Sequence, residues 1–440
     1  MGKGAGAPTD IHLRLTMLEQ TDSVAITTGV PPRNKPGNPS ELEYLVAHRS
    51  GTNLDSMFTS VIEPYKGQRL INNISKVELT VDGQPFVGND ARAVKVEFAD
   101  GRVDYVVYSV NNDVTFVVDG KIGFKGFFGV YSEREGIPFY SYVNDGEFIG
   151  DLIDSTTASY TGTVVDFTRQ MSLENEVTVQ FNSEFDPENL VGRFVYVQND
   201  GIRNATYKIR GIKNIAGNVV TFDIGDITTI RRWADNNDFS KGYIYDMAPG
   251  QAFVIPLSTE YIAPFAQVVL NVENETLTRA QTTNVSVSAW FETGAPIPME
   301  NTLVEIISTD PEIIRVENGT LVAVNPGTAK IYAKVKYQGV TVLSEQIDVT
   351  VTVNIGSVRI LIDLYIQGNE LEMPIIAQVR NSLKQAEHFI GLNDLTSAIY
   401  HLQNLLKHLN NEALKDHVTE NAKAILNIDV QALIDLLNAQ

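Results

Sequence analysis

The chain has 440 residues, a formal net charge of −20, no cysteine, and 43% hydrophobic against 20% charged residues. The composition is that of a globular protein, and a length beyond one ordinary core points to about three domains. The acidic balance disfavours nucleic acid and anionic membranes as partners. Zero cysteine excludes disulfides, thiolate nucleophiles and Cys-ligated metal, and no apolar run is long enough to span a bilayer.

The opening MGKGAGAPTD carries no apolar signal-peptide core. Alternating apolar and polar residues then predict strands over Ile11–Thr28, Leu42–His48 and Met57–Glu63, with the Pro-rich stretch Pro31–Ser40 as an exposed connection. Further strands are predicted at Lys76–Val81, Ala93–Phe98, Val103–Val110 and Val114–Val118, and no helix. From Asp119 to Asp151 the pattern is strand, turn, strand, turn, strand. Ile122–Tyr131 and Pro138–Val143 alternate, Glu133–Gly136 is a polar turn, and Asn144-Asp145-Gly146 is expected to break the second strand. Asp-Gly steps at Asp82, Asp100, Asp119, Asp145 and Asp200 each sit between apolar runs and are read as hairpin turns of an antiparallel meander.

The phrases RSGTNLDSMFTSVIEPY (Arg49–Tyr65), DYVVYSVNNDVTFVVDGKIGFKGFFGVY (Asp104–Tyr131) and FYSYVNDGEFIGD (Phe139–Asp151) occur in one order. Together they resemble the C-terminal β-sandwich region of secreted bacterial polysaccharide lyases of the heparinase II/III-like type, over residues 1–265. The resemblance implies a carbon–oxygen lyase parent that cleaves uronate-containing polysaccharides by β-elimination, with its catalytic toroid N-terminal to this region. No toroid is present in these residues, so the chain is expected to be inactive alone, its signal peptide and catalytic domain lying upstream of Met1.

Tyr160–Ile255 repeats the strand pattern (TGTVVDFT, EVTVQF, RFVYVQN, ATYKIRGI, NVVTFDI), either as a second sandwich layer or as a subdomain beginning near residue 155. Thr228–Ser240 is its least regular and most polar stretch. Residues 266–354 carry short strands at turn-marked intervals, and the run from Ser308-Thr309-Asp310-Pro311 to Pro326-Gly327-Thr328-Ala329 resembles a bacterial Ig-like domain of group 2. From Ile355 the apolar period becomes 3.6. Ile375, Val379, Leu383 and Ala386 mark one helix, and Leu395 to Leu409 a second with Asn393 or Asp394 as N-cap. Ala422–Leu426 and Val430–Leu437 mark two short ones. QAEHFIGLNDLTSAIYHLQNLLKHLNN in residues 355–440 resembles the FIMAH module of secreted Gram-positive glycan-degrading enzymes. The fold class is therefore mainly β and multidomain: an antiparallel β-sandwich region, an Ig-like β-sandwich and a small C-terminal α-helical bundle.

His48, beside Arg49 at a strand end, is the candidate base, since such lyases pair a His with a Tyr as acid and base; strand-end residues of this kind also serve structure. Tyr131, Tyr140 and Tyr142 could form a stripe for sugar stacking, or simply stabilise the sheet. Trp233 with Arg231 and Arg232 offers an indole platform and two cations for a uronate. His401 and His408 are too far apart along a helix to share a metal, and no metal site is expected. The acidic runs Glu184–Asp186 and Asp235–Asp238 could supply oxygens to Ca²⁺, but without EF-hand spacing they read as solvated loops. No cofactor is expected. The reading is an extracellular or cell-surface accessory part of a polysaccharide lyase, its partners being polysaccharide, the upstream catalytic domain and cell wall. The alternative is a free-standing extracellular adhesion or carbohydrate-binding protein.

Overall fold

The computed structural model describes residues 10–31, 37–154, 156–200 and 204–440. The chain divides into two compact units, residues 1–263 and 264–440. It is mainly β, with several sheets and a C-terminal bundle of four helices.

The first unit begins with two isolated antiparallel ladders, Ile11–Met17 on Ser60–Lys66 and Ser23–Gly29 on Leu42–His48. A nine-stranded sheet follows, built on a hairpin of two thirteen-residue strands, Ile122–Arg134 and Ile137–Ile149. Glu135 and Gly136 join them with φ of 52° and 77°, the double positive φ of a turn whose twist suits a hairpin. Alternation along the strands sends Phe124, Val143 and Ile149 into a core with Tyr105, Val107 and Phe116. The expected break at Asn144–Gly146 is absent: the strand runs on to Ile149, and Asp145, at φ 44°, sits in a bulge where the register shifts at Lys125/Gly126. Local composition cannot separate a bulge from a turn, because both need positive φ. Asp82-Gly83, Asp100-Gly101 and Asp119-Gly120 do lie between strands in turns, whereas Gly201 lies outside the described residues.

The remainder of this unit is a seven-stranded antiparallel sheet in the order Asn204–Lys208, Phe194–Gln198, Ala252–Pro256, Ser159–Phe167, Asn175–Phe181, Val219–Gly225, Gly211–Ala216. Every strand contributes to one hydrophobic cluster, which includes Val179, Val195, Phe222 and Phe253. A sheet whose strands all point one face into a single cluster has curled around its own interior. The stretch Thr228–Ser240, expected to be irregular, is largely ordered. Ile230–Trp233 pairs with Tyr243–Tyr245, and Asp238 caps a short 3₁₀ turn at Phe239–Lys241.

The second unit opens with a four-stranded and a five-stranded sheet between Phe265 and Thr352. Helices α1 (Ile355–Gln367), α2 (Ile375–Gly391), α3 (Leu395–Leu409) and α4 (Glu420–Asn438) follow. Asp394 caps α3 by accepting from Ser397 N, and Asn354 and Ser357 form a reciprocal capping box on α1. The two short helices expected after residue 420 are one continuous helix, α4. Asp429 at its middle is buried in an ion pair with Arg279. Val353, just after the last strand, is part of the helical core.

Candidate functional site

The three tyrosines do not form one stripe. At the hairpin end Arg134 faces Ile137 and Glu133 faces Pro138, but a one-residue shift follows, so that Ser132 faces Tyr140 and Tyr131 faces Ser141. Without that bulge Tyr131 would oppose Tyr140; with it, Tyr131 turns to the other face. There it is a core residue, 7% exposed and edge-on to Tyr105 at 6.4 Å. Tyr140 and Tyr142 share the opposite face and are half-buried. Burial, with a hydrogen bond to Glu260, pushes the Tyr140 phenol up to about 12. The Tyr142 hydroxyl donates to Ser258 Oγ at 3.1 Å.

Trp233 is half-buried. Its ring lies between Tyr243 at 4.4 Å and Phe239 at 4.6 Å. Arg231 turns towards Asp200 (3.5 Å) and Asp246 (3.8 Å), which occupy its charge, while its strand neighbour Arg232 is exposed. The register shifts between Ile230 and Arg232, so Arg231 is the extra residue of a bulge in this ladder. His48 is exposed at the end of its strand, with Arg49 half-buried beside it. The nearby Asp22 carboxylate accepts from Ser50 N (2.6 Å) and Ser50 Oγ (2.8 Å), and these bonds hold its pKa below the ordinary value. It joins the start of the Ser23–Gly29 strand to the end of Leu42–His48. Among the acidic runs, Asp186 caps the turn at Pro187–Asn189, while Asp235 and Asp238 bond Lys241 and Ser240. No group of three or more His, Asp or Glu among the described residues is placed to hold a metal.

The structure instead assembles a cleft of about 620 Å³ from residues that lie far apart in sequence. Its floor is the outer face of the curled sheet. In Phe194-Val195-Tyr196-Val197-Gln198 the valines are buried, so Phe194 and Tyr196 point outward, and Val254 pairs with Tyr196 beside them. Its wall is the hairpin bulge, which supplies Phe127, Asn144 and Asp145. Two glycine backbones touch beside this bulge: a Cβ on Gly146 would lie 2.5 Å from Gly126 Cα and from Lys125 O. Phe127 and Phe194 are 41% and 45% exposed. Asn144 Nδ2 donates to Leu257 O and Ser258 Oγ, and Asp145 N donates to Leu257 O at 2.9 Å, tying the wall to the strand connection beneath it. The Asp145 carboxylate accepts from Asn112 Nδ2 at 2.9 Å. Burial raises its pKa from the usual value, the Asn112 bond lowers it, and Asp113 raises it slightly. Arg193 stands at the rim with Nε donating to Asn189 O. Two exposed rings, several amides and a pair of opposite charges suit a ligand with apolar faces and hydroxyl edges.

Among known families, residues 355–435 match the FIMAH domain. The helical module carries that match. No curated protein matches the sequence. Among solved structures, the N-terminal domain of the Streptococcus gordonii adhesin Sgo0707 aligns with 75% of this chain and 100% of its own, at 10% identity and a TM-score of 0.13, too low to carry an argument about fold or role. The lyase resemblance of the first 265 residues gains no support from these findings. In the FIMAH module, His401 stacks on Phe389 at 5.4 Å with His388 edge-on to the same ring, which accounts for two of the four helical-module histidines as packing groups. No helix is long and apolar enough to cross a membrane among the described residues.

Proposed function

We propose that this is an extracellular, surface-associated adhesion protein that binds carbohydrate through the cleft beneath the hairpin bulge. The observation that carries this reading is the pair of exposed rings, Phe127 and Phe194, facing amides and hydroxyls across an opening wide enough for a sugar residue. Sugar rings stack their CH faces on aromatics and send hydroxyls to amide and carboxylate partners, so the lining chemistry favours a glycan over a purely apolar ligand. Binding is favoured over cleavage because, among the described residues, the titratable side chains lining the cleft are Asp145, Arg193 and Tyr196, without a second carboxylate or histidine to complete an acid–base pair. The FIMAH match at residues 355–435 fits a secreted multidomain architecture.

The test is a glycan array probed with the full chain and with Phe194→Ala. Loss of one stacking ring is expected to weaken the bound glycans by about tenfold, since aromatic contacts of this kind contribute roughly 0.5–1.5 kcal/mol beyond area burial. Binding that ignores the substitution would show that the cleft is not the glycan site, and ultraviolet-absorbing unsaturated products released from a uronate polymer by the purified protein would favour the lyase reading.

A further inference from the structure

We infer that the cleft selects an uncharged sugar residue over a uronate, and that Asp145 is the selecting group; this rests on the carbohydrate reading above. Asp145 is held in place from three sides. Its backbone is fixed at positive φ in the bulge, its N–H is bonded to Leu257 O, and one carboxylate oxygen accepts from Asn112. Asp145 is half-buried and lines the cleft, and Asn112 is not among the lining residues. A carboxylate so placed accepts charge-assisted hydrogen bonds from hydroxyl groups, and these are roughly twice as strong as neutral ones. The same charge repels the carboxylate of a uronate.

Charge balance points the same way. Arg193 is the one cation and Asp145 the one anion among the described lining residues, so the cleft offers a polyanion no net attraction. The chain as a whole carries −20 and opposes its approach. Arg193 is also partly occupied, its Nε donating to Asn189 O at 2.5 Å. The neighbouring groups, Asn144, Asn204 and Ser258, are uncharged donors and acceptors suited to hydroxyls.

The experiment titrates the full chain calorimetrically with cellohexaose, mannohexaose and hexagalacturonate. At least one neutral hexasaccharide is expected to bind, with hexagalacturonate weaker by about tenfold or more, the scale of a charge-assisted hydrogen bond lost or opposed. Asp145→Asn should weaken the neutral ligand by about tenfold while improving hexagalacturonate, so the ratio narrows. Asn112→Ala, which frees the carboxylate without touching the lining, should move neutral binding in the same direction by a smaller factor and serves if Asp145→Asn does not fold. Hexagalacturonate binding as tightly as the neutral sugars, and lost in Phe194→Ala, would overturn the selectivity while leaving the glycan cleft standing. If none of the three binds, or binding ignores Phe194→Ala, the glycan reading itself falls and the selectivity with it.

Discussion

Asp429→Ala is expected to destabilise the C-terminal unit by about 3–5 kcal/mol, the cost of removing one partner from a buried ion pair. Asp429 lies at the middle of α4 with 1% of its side chain exposed, and Arg279 at 11%. Arg279 Nε sits 2.9 and 3.0 Å from the two carboxylate oxygens, and Nη2 adds a third bond at 2.5 Å. The same guanidinium donates to Val324 O and to Asn325 Oδ1. One side chain thus ties the turn after the strand Thr276–Thr278, the loop at Val324–Asn325 and the helical module together. Removing the carboxylate strands a cation that water reaches poorly. Replacing both partners by apolar residues, Arg279→Met with Asp429→Leu, should cost much less than either single change, because no uncompensated charge is left. Denaturant unfolding of the full chain, followed by helical circular dichroism, measures both. The double variant matching the worse single variant would show that the hydrogen bonds to Val324 and Asn325, not the charge, hold the joint. The FIMAH module cut out at Ile355 should melt cooperatively, but below its temperature in the full chain, since it loses Arg279 and the core residue Val353.

Gly146→Ala is expected to cost about 1–3 kcal/mol or more, the range for forcing extra atoms into a packed interior. The atoms a methyl group would meet are Gly126 Cα and Lys125 O at 2.5 Å and Val143 Cγ2 at 2.6 Å. Two of the three are backbone in the central strand pair and cannot swing away. The bulge would have to open, carrying Asp145 and Asn144 with it, so glycan affinity should fall together with stability. A thermal melt combined with the cleft titration separates this from simple unfolding. A variant that is folded, stable and binds normally would show that the bulge does not shape the wall.

Much of the architecture was legible because its causes are local. The hairpin turn ending at Gly136, expected from Glu133 and found shortened to Glu135-Gly136, the alternation of FVYVQ and the 3.6-residue period of α2 and α3 each follow from neighbouring residues. What was missed has distant causes. The burial of Asp429 in the middle of α4 is matched by Arg279, which lies 150 residues earlier. The tyrosine stripe failed on a single bulge at Ser132/Glu133, since a one-residue slip in a period-two pattern moves a side chain to the other face. Trp233 looked exposed because the polar residues around it obscured its pairing with Tyr243 across a hairpin. The cleft draws Phe127, Asn144, Phe194 and Asn204 from four different strands, so no window of sequence contains it. The one available signal was Phe194-Val195-Tyr196, where two aromatics take the outward positions of a strand whose valines fill the inward ones.

The central claim, that glycan binds beneath the hairpin bulge, is tested most directly by hydrogen–deuterium exchange of the full chain with and without a saturating neutral oligosaccharide identified by titration. Protection is predicted in peptides spanning residues 122–149 and 192–208. Protection confined to residues 355–435, or to the Trp233 hairpin at 230–245, with the bulge unchanged, would contradict it.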